Sequence, residues 1–438
     1  MFSNKQQLAF NSYKNGENIF ITGAGGCGKS YIIKQIYKDA KKCNKKISVT
    51  AMTGCAAILL ECGATTLHSW GNIGIGNEDY DKILKKIYMY KKKDNWLNTD
   101  ILIIDEISMM SQYVFEMIDY ISKRIRKSKE PFGGIQIICS GDFYQLPPVA
   151  INTQEQSKKN FCFESPLWDI TFHKNIIFNE NFRQSNDKEY VNILEEIRNN
   201  NLSIDSIEKL LQRCNKNINK NEINKDATIL YPVKRMSDKY NDDQFKKLLE
   251  TNSFVNVHVF VPKFYKYNKI TKKYDYLNKD TIANKSIKER CSKSFLLENE
   301  LKLCIGTKVM VTANIDITNN IVNGSQGIIV NFVNNLPEVK FNNITKIIEP
   351  YSWKTNDENY QVEQIPLILS WAITIHKAQG ITLDCVRINL GNSVFEYGQT
   401  YVALSRVKSL NGLYLDSIDF KKIKTNIKVI NFYKNINI

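Results

Sequence analysis

The sequence has few of the residues that form zinc sites and no long apolar segment. It contains only four histidines among 438 residues, and its ten cysteines include no C-x-x-C pair. Structural zinc sites are built from closely spaced Cys and His ligands, so we expect no zinc. Unpaired cysteines favour a reducing compartment. No apolar run reaches the ~20 residues that a membrane-spanning helix needs, so we expect no membrane contact.

Targeting signals are also missing from the first residues. They contain neither the apolar core of a secretory signal nor an arginine-rich transit sequence. We therefore expect a soluble intracellular protein. The net charge of +15 suits a polyanionic partner such as nucleic acid. A lysine excess in an AT-rich genome would produce the same charge, so charge alone does not identify the partner.

The strongest motif lies at residues 22–30, which read T-G-A-G-G-C-G-K-S and match the phosphate-binding pattern G-x-x-x-x-G-K-[ST]. The apolar run 18–21 predicts a strand before it, and apolar spacing in 31–37 predicts a helix after it. Glycines allow the backbone N–H groups to point at phosphates. An ordinary glycine-rich turn is the alternative, but this context favours a nucleotide site. The expected nucleotide-binding residues are Gly23, Gly25, Gly26, Cys27, Gly28, Lys29 and Ser30.

Within this loop, two side chains carry chemistry. Lys29 is expected to reach the β- and γ-phosphates of ATP, and the Ser30 hydroxyl is expected to bind Mg²⁺. A second signal is the run I-L-I-I-D-E at 101–106, which predicts a buried parallel strand that ends in two carboxylates. Asp105 can hold Mg²⁺, and Glu106 can take a proton from the attacking water. A strand that merely ends in an acidic turn is the alternative.

Four further residues are weaker candidates by themselves. Gln145 follows the apolar run 135–142 and can sense the γ-phosphate or place the water, while Arg183 is a candidate arginine finger in cis. Gln6 offers both a donor and an acceptor to an adenine edge. His68, two residues before a tryptophan, can contact a nucleic-acid strand or form a buried structural pair.

Composition along the chain predicts two α/β halves with one insertion in each. Residues 71–98 are polar and basic and predict a surface insertion and candidate wedge. Asn/Lys-rich residues 214–225 predict a loop. Short strands with polar breaks at 255–362 predict a small β module, after which the α/β pattern returns at 366–371. Two halves with one phosphate loop imply one nucleotide site between them. The predicted domains are 1–183 for the first half, 184–254 with 363–438 for the second, and 255–362 for its insertion.

Together the motifs resemble those of superfamily 1 helicases, specifically the petite-integration-frequency (Pif) family. Residues 118–136 resemble that family's own signature between its second and third motifs. The resemblance extends from residue 2 to about 415. The motifs, in chain order, are Gln6, G-A-G-G-C-G-K-S, T-G-C-A-A, T-L-H-S-W, D-E-I-S-M, G-D-F-Y-Q-L-P-P, N-F-R-Q, H-K-A-Q-G and Y-V-A-L-S-R.

The resemblance implies two RecA-like P-loop NTPase domains, with a Src-homology-3-like barrel inserted in the second. It implies an enzyme that uses ATP and Mg²⁺ to translocate 5′ to 3′ on single-stranded DNA and to unwind forked or tailed duplexes. Replication, repair and recombination are the expected processes. A monomer on DNA is expected, wherever that DNA is: the nucleus, the cytoplasm or a viral replication site.

The resemblance also assigns residue roles. Gln6 falls on the adenine position, Asp105 on the metal position and Glu106 on the general-base position. Gln145, Arg183 and Arg406 fall on γ-phosphate positions, and Gly380 lies near the nucleotide. Cys27 replaces the usual threonine, which is tolerable because that loop position works through its backbone N–H. The expected DNA-contacting residues are Thr53, His68, Thr374 and His376.

Three other functions compete with this interpretation. A RecD-like superfamily 1 subunit would act with a nuclease partner. A small-molecule kinase would have no use for a second α/β half bearing Arg406, and DNA would not stimulate its turnover. A DNA-binding module with a vestigial ATP site is disfavoured by the intact Lys29, Asp105 and Glu106. ATP turnover measured with and without single-stranded DNA separates most of these.

Overall fold

The computed structural model describes residues 2–60, 62–74, 76, 78–148, 157, 159–184, 187–214, 227–251, 256–268, 270–277, 282–294, 297–316, 318–319, 321, 323–341, 344–354, 360–391 and 394–436. They fall into two compact units. The first unit comprises residues within 1–220 and 389–438, and the second comprises residues within 221–388. The Asn/Lys-rich loop predicted at 214–225 lies outside the described residues, except for Cys214.

Helices and strands alternate along the first stretch of the first unit. Its strands are β1 (Ile19–Gly23), β2 (Ile47–Ala51), β3 (Thr65–Thr66), β4 (Ile101–Asp105), β5 (Gln136–Gly141) and β6 (Lys174–Phe178). Its helices are α1 (Asn4–Lys14), α2 (Lys29–Lys42), α3 (Gly54–Leu60), α4 (Leu67–Gly71), α5 (Tyr80–Met89), α6 (Asp94–Leu97), α7 (Gln112–Arg126), α8 (Pro166–Thr171), α9 (Lys188–Arg198) and α10 (Ile204–Gln212).

The strands of the first unit form one parallel sheet in the order β3-β2-β4-β5-β1-β6. The central strands β1 and β4 are buried along their whole length, which explains their uninterrupted apolar sequences. Parallel pairing places the carboxyl ends of β1, β4 and β5 at one edge of the sheet. The phosphate loop and the Asp105–Glu106 pair therefore lie at the same edge, and the α/β class with a parallel sheet is confirmed.

Strand β1 is held from both faces. Ile19 and Ile21 point into a cluster with the buried isoleucines of α2. Phe20 points the other way, where its ring centroid lies 5.3 Å from that of Phe143 and 5.1 Å from that of Trp168. Each such buried side chain contributes about 1.5–3 kcal/mol relative to exposure. The phosphate loop thus starts from a strand that cannot shift without disrupting two clusters.

The insertion predicted at 71–98 also contributes to the core. Helix α5 buries Ile83 and Ile87 on one side, and Trp96 is fully buried. The Trp96 ring centroid lies 4.6 Å from that of Trp70, and its indole N–H donates to the carbonyl of Gly71 at 3.2 Å. This segment is therefore more than a solvated charged face, although Lys91 and Lys93 are exposed.

The second unit combines α/β and antiparallel elements. Its helices are α11 (Lys234–Thr251) and α12 (Ile282–Ser294). Its strands are β7 (Thr228–Tyr231), β8 (His258–Phe260), β9 (Lys263–Asn268), β10 (Lys273–Tyr276), β11 (Leu301–Leu303), β12 (Lys308–Val311), β13 (Gln326–Val333), β14 (Leu336–Lys340), β15 (Thr345–Ile347), β16 (Tyr351–Lys354), β17 (Tyr360–Gln364), β18 (Leu367–Leu369), β19 (Ala372–Thr374) and β20 (Val386–Leu390), whose last two residues belong to the first unit.

Sheet pairing separates these strands by type. Strands β19, β7 and β20 pair in parallel in that order, as an α/β half requires. The remaining strands are antiparallel, in the orders β15-β14-β13-β12-β18, β10-β9-β17-β16 and β11-β8. Leu367–Leu369, where the sequence predicts a return to the α/β pattern, instead pairs antiparallel with β12. The parallel pattern resumes at Ala372, because only there does the chain rejoin β7.

The chain then returns to the first unit with α13 (Gln399–Leu404), β21 (Leu413–Ile418) and α14 (Ile427–Ile436). The sequence groups these residues, and those after 183, with the second half. In the structure they cluster with the phosphate-loop sheet because side chains of α9, α13 and α14 bond to it and to one another. No helix among the described residues is both long enough and apolar enough to cross a membrane.

Candidate nucleotide-binding site

The loop between β1 and α2 is closely packed at its glycines. Gly26 and Gly28 have φ values of 86° and 88°, a region that favours glycine. A Cβ on Gly26 would lie 2.5 Å from Cβ of Arg183, and one on Gly28 would lie 2.6 Å from the amide nitrogen of Gln6. The fold therefore brings Gln6 and Arg183 against the phosphate loop, as the sequence predicts for two of its weaker candidates.

Lys29 opens α2 and folds back over the loop. Its ammonium donates to the carbonyls of Gly23 at 2.7 Å and Ala24 at 2.9 Å, and lies 3.5 Å from Sγ of Cys27. These contacts with the carbonyl groups hold the Lys29 ammonium inside the turn that the loop forms. Cys27 is buried, whereas Ser30 on the next turn is exposed, so the Ser30 hydroxyl is accessible to a metal ion.

The two carboxylates at the end of β4 have different surroundings. Asp105 is buried, and burial raises the pKa of its carboxyl group, while the Lys29 ammonium acts in the opposite direction. Glu106 has a φ of 55°, which is uncommon for a residue other than glycine. This conformation ends the strand sharply. Such strain of roughly 1–3 kcal/mol persists mostly at functional sites.

Two guanidinium groups converge on the loop from the other side. A Cβ on Gly25 would lie 3.4 Å from Nη2 of Arg406 and 3.6 Å from Nη1 of Arg183. Arg183 donates to the carbonyl of Ser405 at 2.9 Å, and Arg406 donates from Nη2 to the hydroxyl of the same residue at 2.7 Å. Both side chains are thus fixed by one turn of chain after α13.

The Arg406 side chain is buried, and Arg183 beside it is half-buried. Desolvation and the nearby charge of Arg406 lower the pKa of Arg183 to about 9. Burial lowers the pKa of Arg406 as well, and the Glu106 carboxylate opposes both shifts. Two adjacent cations in a water-poor site are stabilised by a polyanion, so this side of the loop is electrostatically suited to phosphate groups.

Gln145 lies on the segment that follows β5. It is 4% exposed, and its backbone N–H donates to the carbonyl of Asp142 at 2.9 Å. Within the described part of the chain, its side-chain oxygen has no hydrogen-bond partner. A buried acceptor without a partner costs about 1–3 kcal/mol, which makes Gln145 a candidate for contact with water or ligand.

The four predicted DNA-contacting residues occupy different surroundings. Thr53 caps α3, because its hydroxyl accepts from the backbone N–H of Ala56 at 3.2 Å. His68 is half-buried in α4, and burial lowers its pKa. In the second unit, Thr374 ends β19 and its hydroxyl accepts from the N–H of Lys377 at 3.1 Å. His376 is half-buried and its pKa is likewise lowered by burial.

The expected nucleotide residues are thus mostly gathered at one loop of the first unit. Gly380 is the exception, since it lies in the second unit, with a φ of 81°. Sequence reasoning missed Tyr401, whose hydroxyl accepts from the N–H of Gly25 at 3.1 Å. Tyr401 opens the motif Y-V-A-L-S-R, so that motif was the available signal. Sequence reasoning also missed Tyr433, whose hydroxyl lies 2.6 Å from that of Thr22 beside the loop and for which no motif gave a signal.

Comparison with known proteins finds similar sequences over nearly the whole chain. Residues 1–211 match the family model described as PIF1-like helicase, and residues 287–332 match that of the DNA helicase Pif1 2B domain. The chain is 35% identical over 439 residues to the ATP-dependent DNA helicase PIF1 of Xenopus laevis, covering 98% of this chain and 64% of that protein. The chain therefore spans slightly less than two thirds of the length of this relative.

Solved structures resemble the chain over nearly its whole length. The crystal structure of the Pif1 helicase from Candida albicans matches with a TM-score of 0.79 and 32% identity, covering 100% of this chain and 99% of that one. The Pif1 helicase from Bacteroides, crystallised with ADP-AlF3 and single-stranded DNA, matches with a TM-score of 0.67 and 28% identity, covering 100% and 97%.

Proposed function

This chain belongs to the Pif1 family of DNA helicases, and we propose that it is an ATP-dependent helicase that translocates 5′ to 3′ on single-stranded DNA and unwinds duplexes. One observation carries the ATP-dependent part. Lys29, the strand end at Asp105 and the guanidinium groups of Arg183 and Arg406 surround the same glycine-rich loop. The relative from Xenopus laevis is named an ATP-dependent DNA helicase, and the Bacteroides helicase was crystallised in complex with ADP-AlF3 and single-stranded DNA.

The residues at the loop fit ATP and Mg²⁺. A buried carboxylate at Asp105 and an accessible hydroxyl at Ser30 are hard oxygen ligands of the kind that Mg²⁺ accepts. When bound, the metal ion neutralises phosphate charge and orients the nucleotide. Lys29 exchanges its bonds to loop carbonyls for bonds to the β- and γ-phosphates. Gln6, against Gly28, contacts the adenine edge.

The other polar residues act on the transferred phosphate. Glu106 takes the proton of the attacking water. Arg183 and Arg406 stabilise the negative charge that develops on the phosphate oxygens. Gln145 supplies a side-chain amide that senses the γ-phosphate or places the water. By its place in the H-K-A-Q-G motif, Gly380 is proposed as a residue near the nucleotide.

For domain organisation we propose two RecA-like domains, 1–183 and 184–254 with 363–438, and an inserted module at 255–362. Four strands of the five-stranded antiparallel sheet β15-β14-β13-β12-β18 lie in that module and support a Src-homology-3-like barrel there. The match of 287–332 to the 2B-domain family supports the same assignment. Residues 71–98 are proposed as the wedge that separates duplex strands.

DNA lies along Thr53, His68, Thr374 and His376 in this proposal. The net charge of +15 supports backbone-dominated, sequence-tolerant binding. The substrates are single-stranded, forked and tailed DNA, handled by a monomer in replication, repair or recombination. The protein acts wherever that DNA is located.

One experiment tests both activity and polarity. ATP turnover is measured with and without poly-dT, and unwinding is measured on two duplexes that differ only in a 5′ or a 3′ single-stranded tail. We expect DNA-stimulated turnover and unwinding of the 5′-tailed duplex alone. Turnover without DNA stimulation contradicts the helicase proposal. Equal or reversed unwinding contradicts the polarity, even if the ATP site is correct.

A further inference from the structure

The C-terminal helix α14 reaches the base of the phosphate loop through one hydroxyl group. Tyr433 is 4% exposed, and its hydroxyl forms a hydrogen bond of 2.6 Å with that of Thr22, the residue before Gly23. The same oxygen accepts from the backbone N–H of Phe143 at 3.1 Å and lies 3.4 Å from the carboxylate of Asp142. One side chain therefore joins the end of β1 to the start of the segment that carries Gln145.

That segment is also held by Arg198, which lies close to two stacked aromatic rings. Arg198 pairs with both oxygens of Asp142, at 2.9 and 3.2 Å. Its guanidinium carbon lies 4.2 Å from the ring centroid of Tyr144 and 5.3 Å from that of Tyr433. The two rings stack with centroids 4.7 Å apart and planes 17° apart. Residues 142–144 are thus fixed by a charge pair, a stack and a backbone hydrogen bond.

The position of the next residue, Gln145, depends on these contacts of residues 142–144. Gln145 is buried, and among the described residues its side-chain oxygen has no partner that would fix its direction. The other constraint on it is steric, since a Cβ on Gly398 would lie 2.6 Å from the Gln145 carbonyl oxygen. The backbone that leads into Gln145 is therefore fixed by the contacts of 142–144, and that backbone is tied to the phosphate loop through Tyr433.

We propose that Tyr433 is a positioning residue for ATP turnover, which holds Gln145 in register with the phosphate loop. The inference rests on the proposed ATPase function and on the γ-phosphate role of Gln145. Tyr433 touches no reacting atom. Its hydroxyl keeps two neighbouring strand ends, those of β1 and β5, from shifting against each other when the γ-phosphate arrives and leaves.

The first test removes the hydroxyl and keeps the ring. In Tyr433→Phe we expect kcat for DNA-stimulated ATP hydrolysis to fall about tenfold, because small misplacements at a reacting centre have effects of this size or larger. The KM for ATP and the affinity for fluorescent ADP should stay within about twofold, because ADP lacks the γ-phosphate. The matched control is Tyr13→Phe, since Tyr13 is equally buried and donates to Asp39 at 2.9 Å. Its kcat should equal that of the unchanged protein.

The second test asks whether Tyr433 acts through Gln145. In a Gln145→Ala background, Tyr433→Phe should lower kcat no further, because the side chain being positioned is already gone. If Tyr433→Phe does not fold, Thr22→Val removes the other half of the same hydroxyl pair and should give the same pattern. Melting curves of every variant separate lost folding from lost turnover.

Two results would overturn the inference. One is a kcat for Tyr433→Phe equal to that of the Tyr13→Phe control. The other is that Tyr433→Phe lowers kcat by the same factor in the Gln145→Ala background as in the unchanged protein. That result would indicate a general structural effect. An unchanged protein without DNA-stimulated ATPase activity instead refutes the proposed function. The two failures are therefore distinguishable.

Discussion

Replacing Gly398 with alanine tests the close packing of this glycine against the backbone of residues 144 and 145. Gly398 precedes α13 with a φ of 70°. A Cβ there would lie 2.4 Å from the carbonyl oxygen of Tyr144 and 2.6 Å from that of Gln145. Both neighbours are backbone atoms, which cannot rotate away as a flexible side chain can. The Gly398→Ala protein must therefore displace the segment, tilt α13 or destabilise both.

The expected loss of folding stability has two parts, and a control variant separates them. Alanine in the left-handed conformation costs about 1–2 kcal/mol, and overpacking against fixed atoms adds about 1–3 kcal/mol. Gly16 has a similar φ of 76°, but a Cβ there would meet nothing within 4 Å. Gly16→Ala thus bears only the conformational part. The difference between the two variants measures the contact with the Tyr144 and Gln145 carbonyls.

Thermal unfolding and ATP turnover give the readouts. We expect Gly398→Ala to melt about 2–12 °C below Gly16→Ala, given that 1 kcal/mol corresponds to about 2–4 °C in domains of roughly this size. We also expect a lower kcat for Gly398→Ala at temperatures where both variants are folded, because the Gln145 backbone has moved. Equal melting temperatures together with equal kcat values would refute this reasoning.

Four further predictions follow from the site and the fold. Lys29→Ala should remove ATP hydrolysis without unfolding the protein, and near-normal turnover would contradict the site assignment. Glu106→Gln should bind ATP and DNA but lose turnover, and a loss of less than about tenfold would exclude it as the general base. Affinities for poly-dT and mixed single strands, from fluorescence titrations, should be similar and should fall together as salt rises, whereas a salt-independent preference for one sequence would contradict this. Trp96→Ala should lose about 3–5 kcal/mol of stability in denaturant unfolding, because it empties the space beside Trp70, and an unchanged unfolding midpoint would mean that the contact is unimportant.

The local sequence pattern was sufficient to predict the central strands and the phosphate loop. Strand β4 ends at the first of the two predicted carboxylates, because an uninterrupted apolar run is stable where both of its faces are buried, as in a parallel sheet. The boundaries of the second half were harder to predict. Leu367–Leu369 is apolar enough for either sheet, and only the antiparallel register with β12 assigns it to the inserted strands.

The sequence by itself identified the central residues of the proposed nucleotide site, because Lys29, Ser30, Asp105 and Glu106 lie in short motifs whose spacing specifies strand, turn and helix. Only the tertiary structure decided what surrounds that chemistry. Arg183 and Arg406 meet at Ser405, and Tyr433 bonds to Thr22 across 411 positions of sequence. No local periodicity encodes such contacts. They depend on how α13 and α14 pack against the sheet, and packing is a property of the whole folded unit.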